Sequence, residues 1–329
     1  MHRLRYVIIL ILVSIAIWRL YPYLKDFEKL LELKQNINFI WLTLSAFLIV
    51  GQYFGDGWLS QILLQIAGYK INLKTTIKIA SIDVFAAHLL PIGEAGVIAT
   101  VAYFYKKIGV KGRDIIFLAL TWGAVTNFVL VVFLLTSAAF LPKLPNIPIH
   151  LSSLSKILII LILVISPLAV FKKNFIWLKA KEKLSKYKLF QEIVTFTSNL
   201  NVHKEAILDN KSLVLKAFLA GFIYYAANIA SLYFAFLAFG KAPQLSLVAF
   251  TYLLSLIAAF ITLAPAGIGA TEATMILVFL QFNVDPALTF AAVLVFRLFS
   301  FWLPIPAGFL SYHSLKNYKN GQIHQKSPS

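Results

Sequence analysis

The chain has 329 residues, 60% of them hydrophobic and only 13% charged, with a mean hydropathy of +0.82, which excludes a soluble globular fold and points to an all-α polytopic membrane protein. Lys and Arg (30) outnumber Asp and Glu (13), but the basic residues stand in short blocks between apolar runs, so they argue for membrane topology and against a nucleic-acid partner. Cysteine is absent and the six histidines show no ligand spacing, so disulfides, thiolate chemistry, a metal site and other cofactors are not expected.

Residues 1–5 followed by the apolar stretch 6–18 resemble a signal peptide, yet Trp18 to Pro22 offers no small-residue cleavage site, so a retained first helix is expected. Spanning ~30 Å of hydrocarbon takes ~20 helical residues. Runs of that kind lie at 4–21, 39–67, 113–138, 154–171, 213–239 and 286–313. Two further regions, 75–105 and 246–281, each read as a helix, a Pro/Gly break and a second short helix. Each suits a helix plus a re-entrant segment, the arrangement that transporters place around midplane sites.

The excess of Lys and Arg on cytoplasmic loops sets the orientation. With the N-terminus in the cytoplasm, that side collects Lys70, Lys74 and Lys78, then Lys106, Lys107, Lys111 and Arg113, the block 172–216, and Lys316, Lys319 and Lys326. The opposite side holds Lys25, Lys29 and Lys34 offset by Asp26, Glu28 and Glu32, with Lys143 and Lys241. Both termini are therefore expected in the cytoplasm of a cell-membrane protein. Within the basic loop, Leu184, Tyr187, Phe190, Val194 and Thr197 recur at helical spacing beside Lys183, Lys186 and Lys188. That pattern fits a helix lying on anionic headgroups; the alternative is a solvated linker.

An offset of 174 residues places Pro91 on Pro265, Gly93 on Gly267, Gly96 on Ala270 and Val110 on Val284. An offset of 172 brings Asp56 onto Asn228 and Gly68 onto Gly240. The expected organisation is a single transmembrane domain, 1–329. It comprises a first helix and outer loop (4–35), repeat 1 (36–138), a linking helix (139–171), a basic amphipathic segment (172–212), repeat 2 (213–313) and a tail (314–329). The first copy opens with an inward helix and the second with an outward one, so the repeats are inverted, as in many secondary transporters.

Pro91, Gly93, Gly96, Pro265, Gly267 and Gly269 form the breaks, and Glu94 and Glu272 each follow one. A carboxylate in a helix's first turn gains ~0.3 to 2 kcal/mol from the dipole, whereas burial in the bilayer costs at least ~2.5 kcal/mol. A further partner or water is therefore required. Arg297, about eleven residues into the last helix and near mid-depth, cannot lose its proton and must find an anion. A structural pair with Glu272 or Glu94 and a lipid phosphate are both open at this point. Asp56, Asn228, Asp83 and His88 are second-rank contacts: Asp83 and His88 only partly share a helical face, and the glycines flanking Asp56 suit close helix packing. No nucleophile elbow, P-loop or GxGxxG appears, so an enzyme is not expected.

The two broken segments make the chain resemble the lysylphosphatidylglycerol synthase transmembrane region, or flippase-like, family over nearly its whole length. The resemblance rests on Pro91, Gly93, Glu94 and Gly96 with the stretch 103–110. It rests also on Pro265, Gly267, Gly269 and Glu272, with Asn283, Asp285, Pro286, Arg297, Trp302 and Pro304. Ala266 stands where the family's motif has a glycine. The resemblance implies a bundle of about eight helices with re-entrant segments and movement of an aminoacylated phospholipid between leaflets. The chain stops at Ser329, so the aminoacyl-transferase activity in the family name is not expected of it. Relatives that occur beside glycosyltransferases using polyprenyl lipids widen the substrate class.

The reading that follows is a lipid transporter for a phospholipid or polyprenyl-linked lipid. Its partners would be membrane lipids and, at the basic cytoplasmic face, anionic headgroups. The alternatives are a non-transporting partner of a lipid-modifying glycosyltransferase or synthase, and an ion-coupled small-solute carrier.

Overall fold

The computed structural model describes residues 37–89, 93–142, 204–262 and 267–316, and the elements among them are helical. They are α1 (Phe39–Ile66), α2 (Leu73–Leu89), α3 (Gly93–Lys107), α4 (Gly112–Ala139), α5 (Lys204–Asp209), α6 (Lys211–Ala238), α7 (Leu245–Thr262), α8 (Ala270–Gln281), α9 (Pro286–Arg297) and α10 (Pro304–Lys316). A π-turn, Leu298–Trp302, joins the last two into one rod. Among the described residues, five stretches are long and apolar enough to cross a membrane: α1, α4, α6, α7 and the rod 286–316. The chain is thus an all-α polytopic membrane protein. The helices expected at 39–67, 113–138, 213–239 and 286–313 form within one turn of those limits. The expected spans 4–21 and 154–171 and the amphipathic stretch 184–197 lie outside the described residues.

The centre is the pair α1 and α6, packed antiparallel along their whole length. The Asn38 N–H donates to the Ala238 carbonyl (2.8 Å), Trp41 stacks on Phe234, and Gly55 lies against Tyr224 and Ala220. Residue numbers rise on one helix as they fall on the other. Between those contacts, the Ser45 hydroxyl donates to the Ser231 carbonyl and the Ser231 hydroxyl to the Ser45 carbonyl, both at 2.8 Å. Small side chains bring the backbones close, and each hydroxyl is satisfied by the facing helix's carbonyl.

Each broken segment is a hairpin whose two outer ends share one end of the bundle. At the start of α2, Lys78 Nζ donates to Ser314 Oγ (2.6 Å), and at the end of α3, Lys107 Nζ donates to the Lys316 carbonyl. Gln244 and Ser246, at the start of α7, both donate to the Phe140 carbonyl at the end of α4. Pro243, before α7, lines one cavity with Leu280 at the end of α8. At 1.5 Å per residue, α3 and α8 reach only about 22 and 18 Å, too short to cross ~30 Å of hydrocarbon. The hairpins also enter from opposite ends, because α10 packs on α2 while α4 packs on α7.

Positions matched by the two sequence offsets end their helices alike. Gly68 and Gly240 both have left-handed backbones (φ 88° and 95°), as do Gly109 and Asn283 (φ 99° and 57°). The Val110 N–H returns to the Tyr105 carbonyl just as Val284 returns to Phe279.

Candidate functional site

The second hairpin turns at Gly267 and Gly269, with φ of 68° and 81°. Glu272 lies in the first turn of α8, where Oε2 accepts the Gly269 N–H at 2.7 Å. Its other oxygen accepts from Arg297 Nε at 2.5 Å. The two side chains are 24% and 13% exposed, so the pair is mostly withdrawn from its surroundings. Glu272 therefore satisfies a helix N-terminus and a guanidinium together, which offsets the cost of holding a carboxylate at that depth.

Arg297 sits at the junction of α9 with the π-turn. The turn is closed by the Leu303 N–H reaching the Leu298 carbonyl at 3.2 Å. Pro304 and Pro306 cannot donate, so a regular helix would leave the carbonyls of residues 300 and 302 without donors and crowd a ring against the first; widening the helix relieves that conflict. It also carries Phe301 under Arg297 (5.2 Å to the ring centre) and against His88 (4.2 Å between centres). His88 is one residue from the end of α2. The tips of both hairpins thus meet on one turn of the last rod, through Glu272 and Arg297 on one side and Phe301 and His88 on the other.

A cavity of about 290 Å³ lies within the first half, between α1, α2, α3 and α4. Its wall carries Asp56 and Asp83 with Ser60, Tyr105 and Trp122, and is otherwise mostly apolar, including Ile98, which is 60% exposed. Asp56 is buried and accepts the Trp122 indole N–H at 2.7 Å. Glu272 and Arg297 are not on this wall.

Asn228, the counterpart of Asp56, is buried on α6 and donates to the Tyr224 carbonyl at 2.9 Å. Asp83 and His88 face different surroundings, the cavity and Phe301. Gly93 begins α3, and the Gly96 carbonyl accepts from Thr100. Pro91, Pro265 and the side chain of Glu94 lie outside the described residues. Sequence reasoning passed over Trp122, Tyr105, Tyr53 and Phe301. A tryptophan in the middle of a span, away from the interfaces where the residue gathers, was a usable signal for Trp122, because its indole N–H must find an acceptor. Among the described residues no cluster of His, Cys, Asp and Glu could hold a metal.

The family model for the lysylphosphatidylglycerol synthase transmembrane region matches residues 5–308. The chain belongs to that family. It is similar to a UPF0104 membrane protein of Methanocaldococcus jannaschii, 25% identical over 304 residues that make up 88% of this chain and 89% of that one. A UPF0104 membrane protein of Pyrococcus horikoshii is likewise 25% identical over 299 residues, 84% of this chain and 87% of its own.

Proposed function

We propose that the chain is a lipid transporter that passes the headgroup of a phospholipid or polyprenyl-linked lipid between leaflets while the tails stay in the bilayer. The observation that carries this reading is the cavity: two carboxylates on an otherwise mostly apolar wall, beside an outward-facing Ile98, between two helices of spanning length, α1 and α4, and the first hairpin. A polar pocket at hydrocarbon depth serves a polar cargo, since unpaired charge there costs roughly 2.5 to 3.5 kcal/mol per group. Asp56 and Asp83 take the positive or hydroxyl-rich part of the headgroup, with Asn228 and Glu94 as further contacts. Arg297 takes the phosphate when Glu272 releases it, so the ion pair acts as a latch between the hairpin tips.

The chain acts as a carrier and not as an enzyme. It lies in the cell membrane with both termini in the cytoplasm, which is supported by Lys78, Lys107 and Lys316 gathering at one end of the bundle. Anionic headgroups at that face are its partners.

Purified protein in liposomes should move labelled phospholipid or polyprenyl phosphate across the bilayer. Arg297→Ala or Glu272→Gln should slow that movement at least about tenfold, the equivalent of ~1.4 kcal/mol in the barrier. An unchanged rate in both variants would overturn the assigned roles.

A further inference from the structure

Asp56 and Asp83 share a cavity wall that, among the described residues, bears no Lys, Arg or His. One oxygen of Asp56 is fixed by the neutral indole of Trp122, which supplies a hydrogen bond but no charge. The next polar group along α1 is Tyr53. It is only 9% exposed, and among the described residues its hydroxyl has no hydrogen-bond partner.

Among the described residues, the surrounding elements supply no counter-charge. Ser60 of α1, Tyr105 of α3 and Trp122 of α4 are the other polar side chains on the wall, and none is basic. On the far side of α2, α10 packs through Gly308, and its Tyr312 meets Phe104 rather than the cavity. Two carboxylates facing one small, mostly apolar space without a cation cannot both stay ionised. A proton or a cationic ligand must neutralise them. Trp122 and Tyr105 on the same wall add aromatic faces of the kind that hold an ammonium group.

We propose that Asp56 and Asp83 form a proton-exchange site, in which the empty cavity holds a proton on the pair and gives it up when a positively charged group enters. The carboxyl O–H breaks, the proton passes to water, and the carboxylate left behind pairs with the incoming cation, so charge in the cavity is conserved. Proton release is thereby tied to loading of the cavity, which gives a transporter a means of drawing on a proton gradient. The inference rests on the transport reading for its purpose, but its test needs no transport.

The full chain in a nonionic detergent, in weak buffer with a pH indicator, is titrated with decyltrimethylammonium, a probe with no proton of its own to lose. The expected result is about one proton released per cation bound, with affinity rising about tenfold per unit of pH over the acidic range. Asp83→Asn and Asp56→Asn should each abolish the release and flatten the pH dependence, whereas Asp83→Glu should keep both. Elution as a single species on gel filtration identifies the variants that fold, and Asp83→Glu keeps the question decidable if the Asn variants do not. No cation binding by the wild type, binding without proton release, or release that survives in both Asn variants would overturn the proposal. Protons exchanged by a chain that moves no lipid in vesicles would sink the transport reading and leave this site standing.

Discussion

Glu272 carries two duties that can be separated by substitution. Gln keeps an oxygen for the Gly269 N–H but gives up the charge that holds Arg297, so Glu272→Gln isolates the ion pair from the helix cap. The two glycines of the same turn differ in what a methyl group would meet. At Gly269 an added Cβ finds open space, so Gly269→Ala should cost only the roughly 1 to 3 kcal/mol of a backbone conformation that L side chains rarely adopt. At Gly267 it would also stand 2.5 Å from Thr271 Oγ1 and 3.0 Å from the Ala259 side chain. Gly267→Ala should therefore lower the melting temperature in detergent further than Gly269→Ala does. Equal losses would show that the crowding relaxes freely.

Among the elements, the antiparallel pair α1 and α6 is the axis about which the two halves are arranged. Its reciprocal serine bonds give a measurable coupling. Ser45→Ala and Ser231→Ala should each destabilise by about 0.5 to 1 kcal/mol, and the double variant by less than the sum, since the two hydroxyls also touch each other at 3.1 Å and that contact is lost once, not twice. Strict additivity in a chemical-denaturation cycle would contradict the pairing. The helices themselves were legible in the sequence because apolar runs of spanning length leave little choice, and the breaks were legible because Pro and Gly interrupt those runs. Left-handed caps at Gly68, Gly240, Gly109 and Asn283 fall where the repeat offsets put them. The partner of Arg297 was left open because a carboxylate and a phosphate satisfy a guanidinium equally well on paper; the structure brings Glu272 to it. The cavity was less legible. Asp56 and Asp83 lie on different helices, and periodicity says which face a residue takes, never which face of another helix it meets. The π-turn was missed for a similar reason: its cause, a pair of prolines four and six residues after Ser300, is visible in the sequence, but its consequence is the three-dimensional swing of Phe301 towards His88.

For the whole molecule, two hairpins enter from opposite ends and meet on one turn of the last rod, with the cavity between the helices of the first half. The absence of native cysteine makes sidedness directly measurable. In right-side-out vesicles, Lys106→Cys should react with an impermeant maleimide only after permeabilisation and Phe140→Cys without it. The reverse pattern would invert the orientation, and equal labelling of both sites would contradict the hairpin geometry. The central claim is that a headgroup travels through the cavity lined by Asp56, Asp83 and Ala119. The most direct measurement is the rate at which labelled lipid crosses the bilayer of proteoliposomes carrying the wild type or Ala119→Trp, a substitution that fills the cavity without touching a charge. If the cavity is the route, the plugged protein, still a single species on gel filtration, loses most of the wild-type rate; a rate equal to the wild type's would mean that the lipid passes elsewhere.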